Sequence, residues 1–283
     1  MSAIRNFLVV GGTSGLGEAT AKALAGMNHS VTIAGRNESR GLAVKQQLDA
    51  INPNGRYDYK RIDLSRIKDT VRFAREFAAD HATLDGLFIT AGIMRLSGRV
   101  ETEEGIDEEL ATHYYGRWSL INEMMPLLEK SVKDPLDVRV ISVLGAKKGG
   151  WIANDDLELK THYNFIRARL VAAAYNDLTM PEFSARHPTV QFNHVFPGVV
   201  NTPLSQGLPF PIPVLARLAS FMMTAPEKAG KIIASTAFSD KLVNPWNLID
   251  ENGQAMKPSD WITKDLSSKV WEHTESLVIK AKN

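Results

Sequence analysis

Six short apolar runs, each followed by a segment of helical period, set the strongest limit on how this chain can fold. Residues 7–10, 30–34, 57–62, 84–90, 137–143 and 190–196 read as strands, and residues 15–27, 38–50, 65–79, 107–130 and 162–186 as the helices between and after them. The strand runs are continuously apolar rather than alternating, which is the pattern of strands buried on both faces. The expected architecture is therefore α/β, a doubly wound parallel sheet with helices on both faces and right-handed crossovers. No Gly/Ser linker, repeat or low-complexity tract divides residues 1–283, so a single domain is expected. Within it, residues 204–225 open on the proline-rich Gly207-Leu-Pro-Phe-Pro-Ile-Pro213 and read as a helical substrate lid. Residues 250–283 read as a C-terminal extension.

Charge and composition exclude several functions. The 33 Lys+Arg against 32 Asp+Glu leave a net charge of +1, without the basic footprint that nucleic acid requires. The chain has no cysteine, which removes disulfide scaffolds, thiolate metal sites and cysteine nucleophiles. His113 and His162 have no partners at ligand spacing, so no metal site is expected. There is also no Gly-x-Ser-x-Gly elbow. The richest apolar stretch, residues 212–223, is interrupted by Arg217 and is too short to span a bilayer. Residues 1–6 carry no signal-peptide core, and a soluble cytoplasmic protein is expected. The acidic run at 101–109 suits the positive end of a helix dipole and reads as a solvated helix start.

Gly11-Gly-Thr-Ser-Gly-Leu-Gly17 follows the first strand and opens the first helix, the context in which a glycine pattern binds a dinucleotide. Gly11 permits the tight turn, Gly15 the approach of the pyrophosphate to the backbone, and Gly17 close helix–strand packing. Thr13, Ser14 and Leu16 complete the loop at a helix N-terminus with N–H groups free for phosphate. The second strand ends in Ala34-Gly-Arg-Asn37, where NAD-binding units usually place an acidic residue. Gly35 leaves that space open, and Arg36, beside Asn37, can pair with a 2′-phosphate, so NADP(H) is the expected cofactor. A plain surface arginine is the alternative.

These motifs, with those further along, resemble the short-chain dehydrogenase/reductase superfamily. Asp63-Leu64 resembles its adenine-contacting pair, and Thr90-Ala91-Gly92 its Asn-Ala-Gly motif with threonine substituted. Pro197-Gly198-Val-Val-Asn-Thr202 resembles the segment flanking the nicotinamide, with Thr202 toward the carboxamide. The resemblance covers residues 7–204 in order and implies a Rossmann-like fold. His113-Tyr-Tyr-Gly-Arg117, Ser142-Val-Leu144 and Asp155-Asp-Leu-Glu-Leu-Lys160 resemble a divergent, fungal-like branch with a degenerate catalytic tetrad.

The resemblance implies a tyrosine acid, a lysine that lowers its pKa, a serine that polarises the carbonyl, and a helical asparagine. No tyrosine here is followed four residues later by lysine. Counting back from Pro197 places the tyrosine near 167–169, and the nearest candidate is Tyr163 with Arg167 four residues on. On one helix face, Arg167 could supply the charge that depresses a phenol; a helix-start tyrosine without chemistry is the other reading. The strand match puts Gly145 at the serine position, and Ser142 falls within the strand. His113 stands where the asparagine is expected, either as a proton relay or as a core-facing helical residue.

Two functions follow. One is an NADP-dependent oxidoreductase of a small, apolar carbonyl or alcohol metabolite of secondary metabolism, with atypical catalytic residues. The other keeps the fold without hydride transfer, as an isomerase, cyclase or dehydratase or as a silent binding protein. A homo-oligomer remains open.

Overall fold

The computed structural model describes residues 3–150, 152–202 and 223–283. In chain order its elements begin with β1 (Asn6–Val10), α1 (Gly15–Gly26), β2 (Ser30–Gly35), α2 (Glu38–Ile51), β3 (Tyr57–Arg61), α3 (Ile67–Asp80) and β4 (Gly86–Ile89). Then come α4 (Glu108–Leu110), a π-helical turn (Ala111–Tyr115), α5 (Gly116–Ser131), β5 (Arg139–Val143), α6 (Phe165–Arg186) and β6 (Gln191–Val195). The described chain ends with α7 (Pro226–Thr236), β7 (Trp246–Ile249), β8 (Ala255–Met256) and α8 (Lys264–Lys282).

All six expected strands form and lie in one sheet of order β3-β2-β1-β4-β5-β6-β7-β8. Every pairing is parallel except β7–β8. The pleat explains the continuous apolar runs. Leu8 and Val10 enter the core with Leu87, Ile89, Val140 and Phe192, whereas Phe7 and Val9 enter the opposite core with Phe88, Ile141 and Val195. These central strands thus feed two cores with no polar side left to alternate, whereas the edge strand β3 leaves Asp58 and Arg61 exposed. The order reverses between β1 and β4, so the crevice at their carboxyl ends is where this architecture receives a dinucleotide.

Three differences from the sequence reading have local causes. The helix expected over 107–130 is divided by the π turn, a feature often found at functional sites. Just beyond it, Gly116 presses on the carbonyl of Leu64, and a Cβ there would stand 2.0 Å from that oxygen. The helix expected from 162 starts at Phe165, because extended Asn164 (φ −149°) caps it and its Oδ1 accepts from the Arg167 amide at 2.8 Å. Finally, β7, β8 and α7 were not anticipated. β7 and β8 are too short to show a period, and they are joined through a turn in which Gly253 has φ +77°.

The C-terminal extension packs into the main core rather than standing apart. α8 buries Val270, Trp271 and Val278, and Trp271 meets Trp118 and Phe183 edge-on at 5.1 and 4.7 Å between ring centres. Most of the lid expected at 204–225 lies outside the described residues. Among the described residues, no helix is long and apolar enough to cross a membrane.

Candidate cofactor and active site

The glycine loop is held so tightly that side chains are excluded. Gly11 has φ +89°, and its amide donates to the Ala34 carbonyl at 2.8 Å. A Cβ on Gly11 would stand 2.4 Å from the Ala91 amide nitrogen, and one on Gly17 2.3 Å from the Gly11 carbonyl. Gly15 opens α1 at φ +55°. Ser14 stands at the N-cap but makes no side-chain cap bond, so the first-turn amides of Gly15, Leu16 and Gly17 have no side-chain cap. A narrow glycine turn under an uncapped helix N-terminus fits a pyrophosphate.

Around this loop, the other expected residues take varied roles. The space over Gly35 is not open, because Thr13 fills it; a Cβ on Gly35 would meet Thr13 Cγ2 at 2.9 Å. Arg36 is exposed at the end of β2. Asn37 caps α2, its Oδ1 accepting from the Arg40 amide and the Ser39 hydroxyl, both at 2.9 Å. Asp63 Oδ1 accepts from the amide and hydroxyl of Ser65, and Leu64 is buried beneath the close approach of Gly116. The Thr90 hydroxyl donates to the Val10 carbonyl at 3.0 Å, which ties β4 to the base of the glycine loop. Ala91 and Gly92 follow it. At the end of β6, Pro197 leads into Gly198 at φ +76°. Thr202 ends a stretch in which the Asn201 amide donates to the Thr224 carbonyl.

The candidate catalytic residues do not all converge. Ser142 lies inside β5 with no exposed surface; it accepts from Arg117 Nη1 at 2.9 Å and donates to Asn176 Oδ1 at 3.1 Å. Its hydroxyl is committed within the protein and does not reach a substrate. The shared helix face expected for Tyr163 and Arg167 does not form, because Tyr163 precedes the cap of α6. Arg167 Nη1 donates to the His162 carbonyl at 2.8 Å. Burial pushes the Tyr163 phenol up to about 12, with the negative charges of Asp107 and Glu109 adding to it and Arg99 opposing. It therefore keeps its proton at neutral pH.

His113 is buried beneath the loop after β4. Its Nε2 accepts from the Ile93 amide at 3.1 Å, and its Nδ1 lies 3.0 Å from Glu109 Oε2, off the axis of a straight hydrogen bond. Burial holds the imidazole pKa below its ordinary value, against the upward pull of Glu109. A neutral ring carrying its proton on Nδ1 leaves Nε2 free to accept from Ile93 and faces the N–H toward Glu109.

Arg169, rather than Arg167, is the cation turned toward this place. Its Nη1 donates to the Ile93 carbonyl at 3.0 Å and lies 3.5 Å from Glu109 Oε2. One turn earlier, the Phe165 ring centre lies 5.5 Å from the guanidinium. Phe165-Ile-Arg-Ala-Arg169 thus carries the aromatic-to-cation spacing that the resemblance implies for tyrosine and lysine. Counting back from Pro197 reaches this stretch but sets the tyrosine itself at 167–169, and Tyr163, the nearest candidate, lies before α6.

Two more buried groups shape the floor without any advance signal. Asn176 Nδ2 donates to the carbonyls of His113 and Ala172 at 2.9 and 2.8 Å. The fully buried His194 and Asp177 meet at 2.6 Å, and His194 Nε2 accepts from the Gly145 amide at 3.2 Å. Asp177 also accepts from the Lys147 amide at 3.0 Å, so the pair fixes the turn after β5.

The approach to α6 is organised by Asp156, whose carboxylate accepts from the amides of Lys160, Thr161 and His162 at 2.7, 3.0 and 2.9 Å. Burial alone would raise its pKa, but the Thr161 hydroxyl and these amides outweigh it and hold the carboxyl well below the usual carboxylate range. A depressed carboxylate stabilises the fold fully above its unfolded pKa, about 3.9, and that contribution is lost as pH falls through the lower folded value. The three amides should therefore exchange far more slowly than unstructured amides at neutral pH, and that protection should fall away in strong acid. In Asp156→Ala that protection should be lost at every pH, as hydrogen-exchange mass spectrometry would register against the rate of unstructured amides; retained protection in that variant would contradict the assignment.

Comparison with known proteins agrees with this architecture. The sequence profile described as short chain dehydrogenase matches residues 5–153, more than half of the chain. An oxidoreductase of Emericella nidulans is 37% identical over 209 residues, which cover 73% of this chain and 61% of that protein. A second oxidoreductase, from Emericella variicolor, is 36% identical over 69% of this chain and 57% of its own length. The matches thus span less than two thirds of these relatives. A polyprenol dehydrogenase of Danio rerio is 26% identical over 96% of this chain and 86% of its own. Among solved structures, an alcohol dehydrogenase of the archaeon Thermococcus sibiricus, complexed with 5-hydroxy-NADP, superposes with a TM-score of 0.66. It is 17% identical, covering 90% of this chain and 100% of that one. The chain belongs to the short-chain dehydrogenase family.

Proposed function

We propose that this chain is an NADP-dependent oxidoreductase of a small, apolar carbonyl or alcohol metabolite, working with atypical side chains in the cytoplasm. The observation that carries the reading is the glycine cradle: Gly11 and Gly17 tolerate no Cβ, and the N-terminus of α1 above them has no side-chain cap. Exposed Arg36 beside that cradle supports a 2′-phosphate, and a solved relative complexed with 5-hydroxy-NADP agrees with it. A nicotinamide dinucleotide supplies or accepts the hydride when bound. The residues of the chain then have separable tasks. Arg169 holds a positive charge at the end of β4, braced by Glu109 and the Ile93 carbonyl. Tyr163, protonated and half-buried, is the candidate proton donor. His113, Ser142 and Asn176 position the floor. Exposed Ile166, Leu170 and Leu96 suit an apolar substrate.

One observation favours a second reading. Phe165 brings a ring without a hydroxyl to the place one turn before Arg169, and a fold without hydride transfer, non-redox or silent, would need none. Following NADPH absorbance against a panel of carbonyl compounds separates the two. Turnover that is lost in Tyr163→Phe supports the oxidoreductase. NADPH binding without turnover of any compound supports the second reading.

Cofactor choice has its own test. Charge-assisted bonds to a phosphate contribute about 1.5–3 kcal/mol, a ten- to hundredfold preference of NADP over NAD. Arg36→Ala should remove that preference with little change in NAD affinity, as calorimetric titration would measure. Equal affinities in the unmodified protein would refute it.

A further inference from the structure

Arg117 is the largest fully buried side chain of the described residues, and no carboxylate among those residues lies within ion-pair distance of it. Its guanidinium is held by backbone carbonyls instead. Nη1 donates to Ile89 and Val143 at 3.3 and 2.9 Å and to the Ser142 hydroxyl at 2.9 Å, while Nη2 donates to Ala91 at 2.6 Å. Its Nε has no partner. Burial, with Arg169 adding, pushes its pKa down to about 9, so it stays charged at neutral pH.

The position of this charge matters more than its burial. Ile89 and Val143 are the last residues of β4 and β5, and Ala91 follows β4. In a doubly wound sheet whose order reverses between β1 and β4, the adenosine half of a dinucleotide lies over β2 and β3, and the nicotinamide half over the carboxyl ends of β4 and β5. The nearby acids are engaged elsewhere: Glu109 with Arg169 and His113, Asp177 with His194. Arg117 is therefore an unneutralised positive charge under the half of the nucleotide where oxidised and reduced forms differ.

We propose that Arg117 sets the redox preference of the nucleotide site, making it bind NADPH more tightly than NADP+. The inference rests on the NADP reading above. The two nucleotides differ by one positive charge on the nicotinamide ring, and a buried cation disfavours the form that carries it. The expected preference is about tenfold, since one charge at moderate distance in a protein acts on that scale. A chain with this preference fills from the reduced pool and sheds the oxidised nucleotide, which suits it to carbonyl reduction.

The test is titration of NADPH and NADP+ against the unmodified protein, Arg117→Met and Arg117→Lys at one pH and ionic strength. The unmodified protein should prefer NADPH about tenfold, Arg117→Lys should keep the preference, and Arg117→Met should bring the ratio near one. A purely structural role would weaken both nucleotides equally and leave the ratio unchanged, and that result overturns the proposal. Where Arg117→Met does not fold, Ser142→Asp, which sets a carboxylate beside the guanidinium, should lower the ratio in its place. Equal affinities in the unmodified protein overturn this inference and leave the NADP reading standing; no binding of either nucleotide removes both.

Discussion

Replacing Gly17 by alanine is expected to abolish dinucleotide binding and to destabilise the fold. The new methyl group would stand 2.3 Å from the Gly11 carbonyl oxygen, 2.4 Å from Thr90 Oγ1 and 2.7 Å from the Gly11 carbonyl carbon. Two of those atoms are backbone, so no side-chain rotation relieves the clash. Thr90 cannot swing aside without releasing its bond to the Val10 carbonyl. Either α1 lifts from β1 or the glycine loop shifts, and both move the N–H groups that a pyrophosphate would meet. Overpacking of this kind costs about 1–3 kcal/mol, occasionally more. Denaturant unfolding would give the stability loss and calorimetry the loss of NADPH binding. Gly26→Ala is the control, because its Cβ would meet nothing within 4 Å. Nucleotide affinity in Gly17→Ala equal to that of the control would show that the loop is not the binding cradle.

Arg169→Met is expected to lower turnover by at least about a hundredfold, with Arg169→Lys retaining part of it. Removing the guanidinium takes a charge from the end of β4, breaks the bond to the Ile93 carbonyl, and leaves the buried Glu109 carboxylate without its cation. Lysine restores the charge but not the planar guanidinium whose Nη1 meets both the Ile93 carbonyl and Glu109. The informative comparison is with Arg167→Met, which removes among its contacts the bond to the His162 carbonyl and leaves the Arg169 contacts to Ile93 and Glu109 in place. Steady-state kinetics on the three variants should leave Arg167→Met within about threefold of the unmodified chain, the size of a small surface effect. A large loss in Arg167→Met with little loss in Arg169→Met would return the cation's role to the residue that pairs with Tyr163 in sequence.

That comparison marks the boundary between local and long-range information in this chain. Apolar runs of strand length, each ending before a helical period, suffice for the central sheet, because a strand buried on both faces is mostly apolar; the buried polar exceptions, such as Ser142 and His194, are held by hydrogen bonds. The glycines at 11, 15 and 17 are equally local, since the turn and the close approach are made by the backbone within one βα unit. Asn164, by contrast, is an ordinary residue until its side chain caps α6; that single hydrogen bond starts the helix after Tyr163 and separates it from Arg167. The π turn at Ala111–Tyr115 and the packing of Gly116 on Leu64 depend on a carbonyl more than forty positions away in the chain, which no window along it reveals. Arg169 and Arg167 are chemically alike and two residues apart, and a helix turns them roughly 200° from each other. Composition and spacing single out the glycine loop because its atoms are neighbours in sequence. Which arginine meets Glu109, and that Arg117 lies uncompensated under β4 and β5, depended on folding distant segments together, since burial and pairing are properties of those contacts alone.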